Sequence, residues 1–408
     1  MMVMSMAKGK DIHVPSKSFM VSKDVINAVP VAALIVVLFA VLLKNFPTIS
    51  LYLFITIFFF LRSSKILLTR DLLKTAMIML SGVLIMAYSY DKAPVIDFPL
   101  PPPVDSAVLT NMFLTCVICF VVFIQGYFYS FTVKNPLRFL RYVFLYQWAL
   151  IGIYFTVSYG FFFIGNSLLL GNMTVILLPY MYLLFDGKPK LRFVFSSLVL
   201  LYLLSILCRT AFIAASIFFL TYYLYPYLIV NKIRYKLFFL SFIILLFLSI
   251  FLYLIVGVYY LEEFSVKYFG GKTLGQGRNI LWPELLVYII EKPLFGYGIN
   301  QDSGYLQATS LWLGDRGLDS HNIYFEMLLR GGILLLSFFL ILFYRIWGSF
   351  YSISNSKMSR IAASGFIAFL FLAAGLPIGV IDNIVLNTLL WFYWGVASGN
   401  TWIKNHQI

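Results

Sequence analysis

Charge is what this sequence has least of. Only 11% of its 408 residues are Asp, Glu, Lys or Arg, against roughly 25% in a soluble globular domain, which excludes water as the main solvent of the fold. Cysteine is nearly absent: Cys116, Cys119 and Cys208 are an odd set lying in or beside apolar runs, which excludes a disulfide framework. The Cys116 to Cys119 spacing falls inside an apolar helix, without the strand-turn-helix setting of a redox pair, so both read as packing residues. Histidine is as scarce. His13 and His406 sit in polar tails, and His321 is the third. One histidine with the scattered Asp302, Asp315 and Asp319 makes no ligand spacing, so no metal and no cofactor is expected. Internal repeats are lacking too, which removes the inverted-repeat signature of a transporter.

What is abundant is apolar and aromatic: 62% hydrophobic residues, with 42 Phe and 28 Tyr. Apolar stretches recur at the length a hydrocarbon slab of ~30 Å demands. Breaking them at charge, Pro or Gly gives spans near 26–43, 48–61, 73–88, 107–133, 142–159, 166–185, 193–207, 211–230, 237–259, 327–347, 361–376 and 380–396. The expected fold is therefore all-α. It is a polytopic membrane protein of about twelve transmembrane helices, one transmembrane domain over 1–408, with a large periplasmic loop at about 260–326 between spans nine and ten that carries short helices. The polar stretch before the first run, and that run's length, predict an uncleaved first span.

The formal net charge of +14 does not mark a nucleic-acid protein. Its Lys and Arg fall in short clusters between apolar runs rather than along one face. Threaded with both termini in the cytoplasm, only nine of the 30 fall outside: Lys44, Lys92, Arg209, Lys267, Lys272, Arg278, Lys292, Arg316 and Arg330. The positive-inside rule supports that orientation. Of the two long outer segments, 89–106 carries the run Pro101 to Pro103 and reads as a stiff polyproline strap. The other, 261–326, is the place for a site.

Arg209 stands where two apolar runs meet with almost no loop. At membrane depth an Arg costs about 2.5–3.5 kcal/mol, so it either snorkels to the interface or holds an anion. In the long loop, Arg278 precedes a predicted short helix. Pro283 fits its first helical position, Glu284 favours its positive end, and Pro293 stops it near Glu291. Trp282, Leu285, Leu286 and Ile289 are expected to float it on the membrane surface. Asp319 or Ser320 is expected to N-cap a helix starting at His321, whose N-terminal position disfavours protonation and leaves a neutral imidazole, as a general base requires. Glu326 and Arg330, four apart, are expected to pair, and Gly331 and Gly332 to permit a bend or close packing. Glu262 and Glu263 read as solvated loop charges.

From Arg209 to Leu336 the chain resembles the O-antigen polymerase and O-antigen ligase superfamily, through Arg278, Trp282, the run Pro293 to Gly298 with Tyr297, His321 with Asn322, and Glu326. Two positions depart from it. Cys208 stands where the family commonly has Ser, and Leu335 where it commonly has Gly. The resemblance implies metal-free transfer of a glycan from an undecaprenyl diphosphate carrier to a hydroxyl acceptor, at the periplasmic surface of the inner membrane. Arg209 and Arg278 would hold the diphosphate and His321 would deprotonate the acceptor. Trp282, Tyr297, Asn322, Glu326 and Arg330 would contact substrate. A chain-length regulator is the protein partner it implies. The polymerase reading is preferred, because such proteins differ between strains and no soluble acceptor domain is seen. A ligase that moves the glycan to lipid A core is the alternative. A flippase for lipid-linked oligosaccharide is the second alternative, though it would place charges at mid-membrane rather than in one loop.

Overall fold

The structure is a computed structural model, and it describes residues 70–91, 119–124, 126–127, 130, 167–185, 188–205, 208–255, 278–298, 320–352, 356–375 and 384–406. The expected spans at 26–43, 48–61 and 142–159, most of that at 107–133, the proline run and the rest of the large loop lie outside these residues. Those described are helices and their connections: α1 Arg70–Asp91, α2 Ser167–Leu184, α3 Pro189–Ser205, α4 Arg209–Leu228, α5 Lys232–Leu252, α6 Arg278–Glu291, α7 Ile323–Ser349, α8 Lys357–Ala373 and α9 Ile384–His406. The described residues are therefore all-helical, as the sequence predicts. Three of these segments, Arg209–Leu228, Lys232–Ile255 and Ile323–Ser349, are long and apolar enough to cross a bilayer.

The bundle is centred on α8, which packs against α4, α2, α9 and α7. Small residues allow this. Ala362, Ala363, Ser364 and Gly365 in α8 and Ala211, Ala214 and Ala215 in α4 are all buried, and between helices in lipid it is close backbone approach, rather than exclusion of water, that supplies attraction. A Cβ on Gly365 would lie 2.5 Å from the Pro179 ring of α2. At the periphery the logic reverses. Helix α5 is apolar on every side, yet only 22% of its span is buried inside the protein, against 61% for α7. Its Leu237, Ile244, Leu245 and Phe251 face outward as a lipid-facing surface does.

One end of the bundle is closed by tyrosines. Tyr235 of α5 stacks on Trp347 of α7, with ring centroids 4.3 Å apart, and each donates to the other's backbone carbonyl at 3.0 Å. Tyr225 of α4 donates to the Phe350 carbonyl at 2.7 Å. These hydroxyls serve carbonyls at the C-terminus of α7 that have few helical partners.

Helix α7 is broken, as its two glycines predict. Gly332 has φ 62° and ψ −161°, which interrupts the hydrogen-bond ladder. The run that follows α6 splints the break: Ile333 donates to the Pro293 carbonyl at 2.8 Å, and Tyr297 donates to the Leu329 carbonyl at 2.6 Å. The approach is too close for side chains. A Cβ on Gly332 would meet the Leu294 carbonyl oxygen at 2.2 Å, and one on Gly296, itself at φ 64°, would meet the Leu329 carbonyl oxygen at 2.4 Å.

Candidate active site

The splint fixes α6 against α7, and that contact builds the site at the end of the bundle where α4 and α7 begin and α8 ends. Helix α6 starts at Arg278, earlier than the sequence suggests, so Pro283 lies inside it rather than at its first position. It ends at Glu291, as Pro293 predicts. Pro283 lies past the first four amides of the helix and, having no N–H, leaves the carbonyl four residues earlier without its usual helical partner. The expected membrane-floating face is also revised. Trp282 and Leu285 are buried, and Val287 and Ile290 are the exposed apolar residues. Trp282 is held inward because its Nε1 donates to the Ser320 carbonyl at 2.9 Å and its ring meets Phe325 and Tyr253 edge-on.

His321 does not begin α7. Asn322 is the N-cap, its Oδ1 accepting from the backbone amides of Tyr324 at 2.9 Å and Phe325 at 3.3 Å, and the helix starts at Ile323. Asn is among the best caps, and it outcompetes Ser320, whose hydroxyl instead closes a local loop with the backbone of Asn322. His321 is left just outside the helix at φ 50°, the one non-glycine residue with positive φ among the described residues. Such a conformation in a bulky residue persists only where its surroundings impose it.

The imidazole nonetheless favours its neutral form, for a different reason from the one expected. Burial lowers its affinity for a proton first, the Arg278 charge lowers it further, and Glu326 opposes both. Arg278 is half-buried and reaches across the bundle: its Nη2 donates to the carbonyl of Gly375, just past α8, at 2.6 Å, and its guanidinium lies 5.9 Å from the Trp282 ring centroid. Gly375 in turn abuts Thr210, next to Arg209 at the start of α4. Arg209, Arg278 and His321 thus share one end of the bundle.

Three buried nitrogens here have no hydrogen-bond partner: Arg278 Nε, His321 Nδ1 and Asn322 Nδ2. Buried polar groups are paired in more than about 90% of cases, so three unpartnered nitrogens at one end of the bundle set it apart as the candidate site.

The remaining predicted residues divide. Glu326 and Arg330 form the expected ion pair, Nε to Oε2 at 3.2 Å, with both side chains 2% exposed. Glu326 acts on His321 electrostatically, while Arg330 lies a turn further into the bundle. Tyr297 is not brought to His321. Its hydroxyl donates to Glu291, Lys292 Nζ sits 4.5 Å over its ring, and its backbone is tied to Leu329, about 12 Å along α7 from His321 at 1.5 Å per residue. Asp319 and Cys116 lie outside the described residues. Sequence reasoning missed Gly375 and gave Ser320 a capping role in place of its carbonyl's contact with Trp282. The only signal for Gly375 was its place as a helix terminator shortly before Pro377.

Residues 191–340 match the family model described as O-antigen ligase. No curated protein and no solved structure matches the chain. The matched stretch runs from α3 into α7 and contains Arg209, Arg278, His321 and the splinted break, so the family's domain and the candidate site coincide in the chain. That domain, similar to the O-antigen ligase family over 150 of the 408 residues, is set in a helical bundle with three apolar helices of bilayer length.

Proposed function

We propose that the protein transfers a glycan from undecaprenyl diphosphate to a sugar hydroxyl of another lipid-linked repeat unit, at the periplasmic face of a twelve-span inner-membrane fold with both termini cytoplasmic. The observation that carries this reading is the trio of Arg278, His321 and Asn322 with buried, unpartnered nitrogens. The neutral His321 takes the proton of the acceptor hydroxyl as its oxygen bonds to the anomeric carbon, and the bond from that carbon to the diphosphate oxygen breaks. The departing diphosphate gathers negative charge. Arg278, already charged and held by Gly375, meets it without reorganisation, and Arg209 adds a second guanidinium at the same end. Asn322 Nδ2 is free to donate to a sugar or phosphate oxygen. Trp282 fixes the loop that presents His321, and Glu326 with Arg330 anchors the helix behind it. The fit of this chemistry requires no metal. A chain-length regulator would act on such an enzyme from outside the site.

The family description favours a second reading, in which the acceptor is lipid A core and the protein is a ligase. Gel analysis of lipopolysaccharide from a deletion strain, with the carrier's leaflet assayed alongside, separates them. Core bearing a single repeat is the expected result. Bare core with carrier in the outer leaflet indicates the ligase, and carrier accumulating in the cytoplasmic leaflet indicates a flippase and overturns glycan transfer.

A further inference from the structure

The opposite end of the bundle holds a second cationic cluster that glycan transfer does not use. Arg192, in the first turn of α3, and Arg360, in the first turn of α8, converge on Tyr222 of α4. Arg192 Nη1 donates to the Tyr222 hydroxyl. The Arg360 guanidinium lies 3.9 Å over the Tyr222 ring centroid, and its Nε donates to the Tyr222 carbonyl. That carbonyl is available for a reason legible in the sequence: Pro226, four residues on, has no N–H to give it. Tyr182 completes the cluster, its ring 5.0 Å from that of Tyr222 and its hydroxyl paired with Ser196 at 2.6 Å. Ser196 donates to the Arg192 carbonyl.

Two guanidinium charges close enough to act on each other repel, and an anion between them would relieve that repulsion. No carboxylate pairs with either among the described residues, and the buried Nε of Arg192 has no partner at all. The protein bonds named above use one nitrogen of each arginine, which leaves both Nη groups of Arg360 and one of Arg192 to form a fork, the geometry that phosphate oxygens accept. The flanks are greasy. Leu191, Phe193, Val194, Tyr223 and Tyr227 are all exposed, so acyl chains can run beside the fork.

We infer that Arg192, Arg360 and Tyr222 form a binding site for a phosphate group, that of an anionic phospholipid in the leaflet at this end of the bundle. The Tyr222 hydroxyl, which accepts from Arg192, keeps its own proton to donate to a phosphate oxygen. The site stands about 20 Å from the start of α4, at 1.5 Å per residue, and it does not depend on the glycan-transfer reading.

The test is thermal unfolding of the full-length protein in nanodiscs of phosphatidylcholine, with and without phosphatidylglycerol, and with inorganic phosphate added to the phosphatidylcholine discs. Phosphatidylglycerol should raise the wild-type midpoint. Arg192→Gln should lose that rise while keeping its midpoint in phosphatidylcholine, and Lys188→Gln, an exposed neighbouring charge, should retain it. A rise with inorganic phosphate alone supports the same site with a free anion as its occupant. Arg192→Lys, which keeps the charge without the fork, should show a reduced rise, and it replaces the glutamine variant if that one does not fold. If neither anion moves the wild-type midpoint the site is overturned, and it is overturned equally if Lys188→Gln loses as much as Arg192→Gln, since diffuse surface charge then accounts for the rise.

Discussion

The two ends of this bundle are built from the same parts and differ in one. At each, an arginine lies over an aromatic ring, Arg278 at 5.9 Å from Trp282 and Arg360 at 3.9 Å from Tyr222, and donates to a backbone carbonyl left over by a helix, that of Gly375 or of Tyr222. Both ends therefore present fixed positive charge close to apolar surface. Only the first adds His321, a half-buried imidazole that favours its neutral form, with a carboxylate within electrostatic reach. A cluster of guanidinium and phenol can hold an anion but has no group poised to take a proton near neutral pH. The difference is why we propose chemistry at one end and binding at the other, and each proposal can be broken separately.

Removing the imidazole should have the largest effect. His321→Ala is expected to lower the transfer rate by roughly 10²–10⁴, the usual contribution of a general base, with the protein level in the membrane unchanged. Tyr222→Phe at the other end should leave the rate alone. Polymer or ligated product at wild-type level in the alanine variant would remove His321 from the reaction. Next comes Arg278→Lys, which keeps a charge but loses both the fork and the bond to Gly375. A loss on the order of 10²-fold is expected, as for removing one preorganised donor to a developing anion, and it is read from product chain bands against an immunoblot. Equal losses from Arg278→Lys and Arg192→Lys would erase the contrast between the ends.

The next contrast lies within α7. Arg330→Met strips the partner from a carboxylate that is 2% exposed and should cost about 3–5 kcal/mol of stability, because an uncompensated buried charge remains. It appears as a lowered unfolding midpoint before any change in rate per folded molecule. Gly332→Ala should cost less, about 1–3 kcal/mol, the scale of a non-glycine residue held at positive φ. Since its Cβ would also strike the Leu294 carbonyl, faster hydrogen exchange should follow at Ile333. An unchanged exchange rate there would mean that the splint is not what holds the break.

Much of this was legible in the residues, and the failures have definite causes. Apolar run lengths located α1 to α4, α7 and α8 to within four residues, since span length is set by the bilayer and not by tertiary detail, whereas α5 ends seven residues before its expected span and α9 runs ten residues past its own. The Glu326–Arg330 pair and the bend at Gly331–Gly332 follow from helical spacing alone. Cap identity did not: Ser320 and Asn322 are both good caps, and the choice turned on Ser320 being tied by its carbonyl to Trp282, a long-range contact no local pattern encodes. The inward turn of Trp282 was lost for the same reason. Tyr297 carried a motif whose purpose, splinting a broken helix through backbone bonds, leaves no trace in side-chain chemistry. Arg192 and Arg360 were read as topology because their convergence needs α3, α4 and α8 together, although Pro226 marked the free carbonyl.

The smallest effect is also the most specific to the His321 end. Burial and the Arg278 charge both hold the imidazole below its ordinary pKa of about 6.5, so the base form survives into mild acid, and the acid limb of the transfer rate in reconstituted vesicles should lie below that value. Burial is the larger cause, which means that changing a neighbour moves the limb without abolishing it. Arg278→Gln removes a positive neighbour, so protonation becomes easier and the limb of its residual activity should move to higher pH. Glu326→Gln removes the opposing negative charge, so in the fraction that stays folded the limb should move to lower pH. A merely structural histidine would give limbs that do not move, and two shifts of the same sign would mean that neither charge acts on the imidazole. Opposite displacements, with Tyr222→Phe showing none, are what a proton-accepting His321 between these two charges requires.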